Sequence, residues 1–441
     1  MNARGPGAVP RRAALAAGVG FGISGVGGYF ATRTDHGWLP AGFRRVPLRS
    51  ECVAWLTPST RELIPAGRTG DVVPGTRISV RADDWEPLAE REAHFLAASA
   101  SSPAVREDGT LIRDALLDLH VLSAGLRAPI GSYAWHWRYA WPRDVAHMAA
   151  ALAVAGHRGP AIEALAFFGG VPVAGNCFHA RYRPDTGIPP DGRPPQADGA
   201  GWLLWGCAMV LAAARAGERA GCLERLRRTI EVASDLALAS VAGPSGLPEP
   251  TPDYWELPVR GLTLGVVAPI AMGLHHGVAL NAALGRAIDA ERCRGAADRL
   301  TSRIWELFAR NGFQRYPGGG GADVIITALL PPYAPAGHPD VLERLAATET
   351  AVRAPAGGLR PGAAWPRDGV SWTPATLLVA QAWAAAGEVG RARALVDWVA
   401  AHRTGAGSIP EKVLYDGRPA EVAPLGWSSA LAVLTAYALN G

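Results

Sequence analysis

Four stretches of this chain, each long enough for several helical turns, contain no Asp, Glu, Lys or Arg: "GWLLWGCAMVLAAA" (201–214), "LTLGVVAPIAMGLHHGVALNAALG" (262–285), "TPATLLVAQAWAAAG" (373–387) and "PLGWSSALAVLTAYALNG" (424–441). A helix that is apolar all round must be buried on every side. Between them lie "ERAGCLERLRRTIEVASDLALAS" (218–240), "AIDAERCRGAADRLTSRIWELFAR" (287–310) and "EVGRARALVDWVAAHR" (388–403). Each of these has one apolar and one charged face, the pattern of a helix with its outer side in water. From about residue 84 to the end the two kinds alternate.

The connections alternate in step. An apolar helix is joined to the next charged one by a tight turn such as "AGE" at 216–218 or 386–388. Charged-to-apolar connections are long and rich in Pro, Gly and Trp: 126–141, 171–198, 242–260, 311–322, 353–371 and 404–423. Six long loops and about twelve helices predict an all-α (α/α)6 barrel over 84–441, an inner ring inside an outer ring with every long loop at one end. Stacked bundles and repeat solenoids also use helix pairs, but neither requires charge-free helices in strict alternation. The predicted inner positions include Leu203, Val266, Leu378 and Leu431. Residues 35–83 read as a small irregular or β-containing preface.

Composition agrees with a large core. Of 441 residues, 49% are hydrophobic and 19% charged, against about a quarter charged in ordinary domains. The net charge of +4 arises from scattered arginines, with no basic stripe of the kind nucleic acid demands. Five cysteines without a CxxC or a Cys/His cluster argue against structural zinc and against a disulfide scaffold. One pair would be free to bridge in an exported protein.

Residues 1–34 form a distinct leader. Arg11 and Arg12 precede an uncharged Gly/Ala-rich run at 13–31, a pattern similar to a twin-arginine export signal and also long enough for a single membrane anchor. The expectation is an exported or membrane-associated protein, with a cytoplasmic tail as the alternative.

Long loops that share one rim bring their contents to one pocket. These loops carry "SYAWHWRYAWPRD" (132–144), "PPQADGAGW" (194–202), "PDYWELPVRG" (252–261), "AAWPRDGVSW" (363–372) and "GSIPEKVLYDG" (407–417). Nine of the fifteen tryptophans fall in these loops or just after them: Trp135, Trp137, Trp141, Trp202, Trp205, Trp255, Trp365, Trp372 and Trp427. Aromatic faces stack on the C–H faces of sugar rings, while carboxylates and arginines take the hydroxyls. The mixture points to a carbohydrate pocket.

Four motifs in order sharpen that expectation. "WPRD" (141–144), "QADG" (196–199), "YWE" (254–256) and "IPEK" (409–412), the last followed by "PLGWSSA" (424–430), resemble the active-site motifs of glycoside hydrolase family 15, the glucoamylase family of inverting exo-α-glucosidases. The resemblance covers about 107–441. It implies Glu256 as general acid and Glu411 as general base, about 6.5–9.5 Å apart to leave room for a water. It also implies Arg143 and Asp144 on the hydroxyls of the terminal glucose, with Asp198, Trp141, Trp255 and Trp427 around them, and neither metal nor organic cofactor. The partner is then a small carbohydrate, and the oligomeric state stays open.

The chain departs from the family in three places. Leu257 follows the acid where fungal members tend to carry a second acidic residue, the substrate arginine falls on Arg360 or Arg367, and a large β-sandwich ahead of the barrel is missing or shrunk. Lys412 either holds Glu411 ionised or points to solvent. His275 and His276, in a charge-free helix without partner carboxylates, read as inner-ring residues. Another linkage, such as that of isomaltose or trehalose, is the alternative within enzymes. A sugar-binding protein without turnover is the alternative outside them, and the Asp-rich runs of a terpenoid cyclase are absent.

Overall fold

The computed structural model describes residues 43–105 and 110–441. The leader, including the export or membrane reading of 13–31, lies outside the described residues. Among the described residues twelve α-helices dominate: α1 (Glu86–Ser99), α2 (Thr110–Ser123), α3 (Pro142–Val154), α4 (Arg158–Ala166), α5 (Asp198–Ala213), α6 (Arg219–Ser240), α7 (Leu264–Ala283), α8 (Ala287–Phe308), α9 (Pro339–Ala351), α10 (Thr373–Ala385), α11 (Val389–Ala401) and α12 (Gly426–Asn440).

The inner ring closes in the order α3, α5, α7, a short 3-10 segment (Val324–Leu329), α10, α12 and back to α3. Leu203, Val266, Leu378 and Leu431 are fully buried on α5, α7, α10 and α12, as the charge-free pattern requires. Outside them stand α2, α4, α6, α8, α9 and α11. On α8 the buried residues Ala290, Cys293, Ala297, Leu300 and Ile304 recur every three or four positions, so one stripe meets the core and the charged face meets water. By length and composition α7 would cross a membrane, but it is largely buried as an inner stave.

Two features differ from the expected ring. The helix count agrees for a different reason, because α1 lies outside the six pairs and the fourth inner position holds only a 3-10 segment. Asp323 caps that segment by accepting from the Ile325 N–H, and Pro331 and Pro332 stop it a few residues on. Helix α2 stands in the outer ring yet is buried on nearly every side. Its cover is the preface, where β1 (Ser50–Trp55) and β2 (Arg61–Pro65) form an antiparallel hairpin.

Close packing between α5 and α7 depends on two glycines. A Cβ on Gly201 would collide with the Pro269 carbonyl, and one on Gly273 would collide with Gly201. Because every inner helix follows a long loop, the inner helices start at the loop-bearing rim. Their N-termini, the positive ends of the helix dipoles, therefore surround whatever lies there.

Candidate active site

The loop 252–256 is built on buried, paired charge. Arg315 Nη2 lies 3.0 Å from the Asp253 carboxylate and Nη1 2.9 Å from that of Asp323. Tyr254 OH donates to Asp323, and Thr263 Oγ1 donates to Asp253 Oδ2 at 2.8 Å. The Arg315 guanidinium lies 3.7 Å from the Trp255 ring centre, and a Cβ on Gly362 would approach that indole to 2.5 Å. The result is that Glu256, next in the chain, sits at φ +53°, a conformation non-glycine residues adopt only where surroundings enforce it.

The Glu256 side chain is only 9% exposed, and its Oε2 accepts from Arg193 Nη1 at 2.5 Å while Arg143 Nη2 stands 3.8 Å from Oε1. Burial pushes its pKa up, against the pull of the two arginines.

Glu411 enters from the sixth long loop. Its N–H donates to the Val422 carbonyl at 2.8 Å, and its own carbonyl accepts from Thr373 N at 3.1 Å. Thr373 Oγ1 donates to Pro410 O at 2.6 Å and lies 2.7 Å from Ser428 Oγ, so the starts of α10 and α12 grip the "IPEK" turn together. Lys412–Val413 (β4) pairs with Ser371–Trp372 (β3) and Pro419–Ala420 (β5) in a three-stranded patch. Lys412 does not point to solvent: it is buried, with Nζ 3.5 Å from Glu411 Oε2 and 3.4 Å from Glu421 Oε2. At 3.5 Å the first contact is an ion pair without hydrogen-bond geometry, and Glu411 Oε2 has no hydrogen-bond partner. Burial raises the Glu411 pKa to about 7, with Lys412 opposing and Glu421 and Glu256 adding to it.

Both glutamates open onto one pocket. Of the residues expected there, Trp141, Arg143, Asp144, Trp255, Glu256, Glu411 and Trp427 line it. Six of the nine loop tryptophans contribute: Trp137, Trp141, Trp255, Trp365, Trp372 and Trp427. Trp255, Trp365 and Trp372 stand edge to face in a row, 5.0 and 5.1 Å apart. Five of the six, all except Trp137, bury an indole N–H that has no partner, and so does Arg143 at Nη1. Buried donors are ordinarily satisfied. This wall is therefore suited to a ligand rich in oxygen acceptors and flat enough to stack.

Other expected residues fall elsewhere. Arg143 and Asp144 pair with each other, Nη2 to Oδ1 at 2.8 Å, while both face the cavity. Asp198 begins α5 behind the wall rather than in it; Oδ2 accepts from Trp202 Nε1 at 3.1 Å, and burial lifts its pKa to about 7. Arg367 is exposed and outside the lining, and Arg360 is a loop brace that donates to the carbonyls of Trp365 and Ala351. Trp135 is 76% exposed, whereas Trp202 and Trp205 are core residues beneath the pocket.

His275 bonds Thr301 and His276 bonds the Tyr333 carbonyl, both on the inner stave α7. Among the described residues no cluster of His, Cys, Asp and Glu could hold a metal ion. The five cysteines are unbridged.

The pocket also holds residues the sequence did not single out: Arg49 from the preface, and Arg181 and Arg193 from the second long loop. Arg181 pairs with Asp191 and stacks over Tyr139 at 4.3 Å. Arg193 stands three residues ahead of "QADG", immediately before the stretch 194–202. Nothing in the pattern around Arg49 marks it.

The fold and site together define an (α/α)6 barrel with two carboxylates in an aromatic, arginine-bearing pocket. No protein-family profile matches the chain, and no curated protein matches it by sequence. Solved structures do share the fold. A glycosidase superposes at a TM-score of 0.61 with 23% identity, over 80% of this chain and 98% of its own, and a variant of it was solved in complex with glucose. A bacterial glucoamylase complexed with acarbose gives 0.60 at 18% identity, over 75% of this chain and 55% of its own. A glucoamylase from Saccharomycopsis fibuligera gives 0.58 at 12% identity, over 81% and 96%. The architecture of this protein is thus that of the glycosidases and glucoamylases.

Proposed function

We propose that this protein is a glycoside hydrolase that releases glucose from the non-reducing end of short α-glucosides with inversion. The reading rests on one observation above all: two largely buried glutamates, Glu256 and Glu411, share a tryptophan-walled pocket whose indole N–H groups and Arg143 lack partners. In this reaction Glu411 takes a proton from a water as that water attacks the anomeric carbon. The C–O bond to the leaving group breaks, and Glu256 protonates the departing oxygen. Burial favours the protonated Glu256 that the step needs; at Glu411 burial outweighs Lys412 and puts the pKa at about 7, so Glu411 is ionised for its role as pH rises through that value. No metal or organic cofactor enters the scheme.

The test is substitution combined with a leaving group that needs no proton. Glu256→Gln and Glu411→Gln should each lower kcat by about 10²- to 10⁴-fold, and α-glucosyl fluoride should partly rescue only Glu256→Gln. The glucose released by the wild type should be the β-anomer when first formed. One contact favours the opposite assignment, with Glu411 as acid: the Arg193–Glu256 ion pair at 2.5 Å pulls against burial toward an ionised Glu256. Rescue of Glu411→Gln instead would establish that order. If both variants keep full activity, neither glutamate is catalytic.

Glucose release from maltose, isomaltose, trehalose, maltotetraose and dextran fixes linkage and length, and release from none would leave a sugar-binding protein. We carry the export reading of the leader as a proposal too. Full-length protein found only in the cytoplasmic fraction would overturn it.

A further inference from the structure

The loop that carries Glu411 is closed by a residue from the opposite end of the described chain. Backbone pairing ties them: Arg49 N donates to Glu421 O at 2.6 Å, and Glu421 N donates to Pro47 O at 3.1 Å. The side chains repeat the contact, Arg49 Nε lying 2.5 Å from Glu421 Oε1. The other Glu421 oxygen is 3.4 Å from Lys412 Nζ, which is 3.5 Å from Glu411 Oε2. Glu421 and Lys412 are both buried, and Glu421 sits at φ +67°, so neither side chain wanders. One ammonium serves two buried carboxylates, and the second carboxylate has a guanidinium of its own.

We infer that Arg49, acting through Glu421 and Lys412, is a positioning residue that sets the ionisation of Glu411, so that the preface is a working part of the catalytic centre. This rests on the reading of Glu411 as one of the two reacting carboxylates. With Arg49 in place the Glu421 charge is balanced from outside, and Lys412 is left to act on Glu411. Without Arg49, an uncompensated carboxylate competes for the same ammonium and repels Glu411, which then holds its proton to higher pH. Removing the Glu421 charge has the opposite effect.

The remaining titratable and charged groups around Glu411 are Glu256 from the loop between α6 and α7, Arg143 and Asp144 from the start of α3, Arg181 and Arg193 from the second loop, and His136 from the first, whose pKa burial and Arg181 lower and which Arg49 and Glu421 also act on. The starts of α10 and α12 face the pocket with Trp372, Pro374, Ala375 and Trp427, none of which titrates. His136 shifts in the same direction as Glu411 in both single variants, and the carboxyl band that belongs to Glu411 alone separates the two.

The experiment is the pH profile of kcat/KM on the best glucoside for the wild type, Arg49→Gln, Glu421→Gln and the double variant. The limb assigned to Glu411 should move up by about 1 pH unit in Arg49→Gln and down by about 1 unit in Glu421→Gln. The double variant should have its limb close to that of Glu421→Gln, because the effect of Arg49 on Glu411 ionisation runs through that charge. A purely structural role would lower kcat in both single variants and leave the limb in place. An unmoved limb, or one that moves the same way in both, overturns the inference.

The carboxyl stretching band that disappears in Glu411→Gln gives the same titration by infrared without turnover, and the same two shifts are expected there. A wild-type protein that hydrolyses glucosides while its limb ignores Arg49 sinks this inference alone. A wild type that hydrolyses none sinks the functional reading and the inference with it.

Discussion

The two glutamates stand on loops that are held in opposite ways. The Glu256 loop is braced from within the barrel: Asp253, Tyr254 and Thr263 meet Arg315 and Asp323, which come from the next long loop and the inner segment after it. The Glu411 loop is braced from outside. Ser50 Oγ bonds Ala423 through both its carbonyl and its N–H at 2.7 and 3.1 Å, and Thr404 Oγ1 donates to the Glu51 carbonyl at 2.6 Å. Ser408 Oγ donates to Asp118 at 2.8 Å, and Asp118 is the buried partner of Arg77 in the preface. The difference teaches that the residues ahead of α2, which look like a separate appendage in the sequence, are structurally continuous with half of the site.

The hardest way to break the comparison is to remove the arginine on each side. Arg315→Met strands Asp253 and Asp323, and Arg77→Met strands Asp118. Each should cost about 3–5 kcal/mol in chemical denaturation, because an unpaired buried carboxylate is left behind. If Arg77→Met costs nothing, the preface is only an appendage and the comparison fails.

A smaller effect separates the glutamates themselves. Burial raises Glu411 from 4.5 to about 7 in the folded state. A carboxyl with a raised folded pKa contributes stability that is full below its unfolded pKa and is lost as pH rises through the folded one. Glu411→Gln cannot ionise. It should therefore match the wild type near pH 4.5 and exceed it by about 1–3 kcal/mol at pH 8. Glu256→Gln should gain less, since it removes the partner of Arg193. Thermal midpoints at the two pH values check both. The mildest test is Ser50→Ala, which should cost about 1 kcal/mol and disturb turnover more than it disturbs the Glu256 side.

The barrel was legible because burial on every side leaves a mark in composition: the charge-free runs at 201–214 and 424–441 became α5 and α12 almost to the residue. The fourth inner stave was not, since "VIITALL" is equally apolar and only Pro331 and Pro332 shorten it. Within the site, Glu256, Glu411, Arg143 and Trp427 were readable from short motifs. Asp198 and Arg367 were misplaced because a motif fixes chain order, whereas facing a cavity depends on side-chain direction. Arg49 was invisible for a plainer reason: its partner Glu421 lies 372 residues away, and no local pattern encodes such a pairing.

Tyr333, just past the short inner segment, has a further consequence. Its hydroxyl lies 2.9 Å from His147 Nε2 on α3 and donates to Gln381 Oε1 on α10 at 2.6 Å. Trp202 and Trp205 pack against the same ring, and His147, kept neutral by burial, packs beneath Trp427. This uncharged aromatic plug fills the barrel axis below the pocket, so nothing passes through the barrel along that axis. A polymer cannot be threaded through. On the reading proposed for the site, a released sugar leaves by the opening through which the next substrate enters, so an accumulating product competes with it.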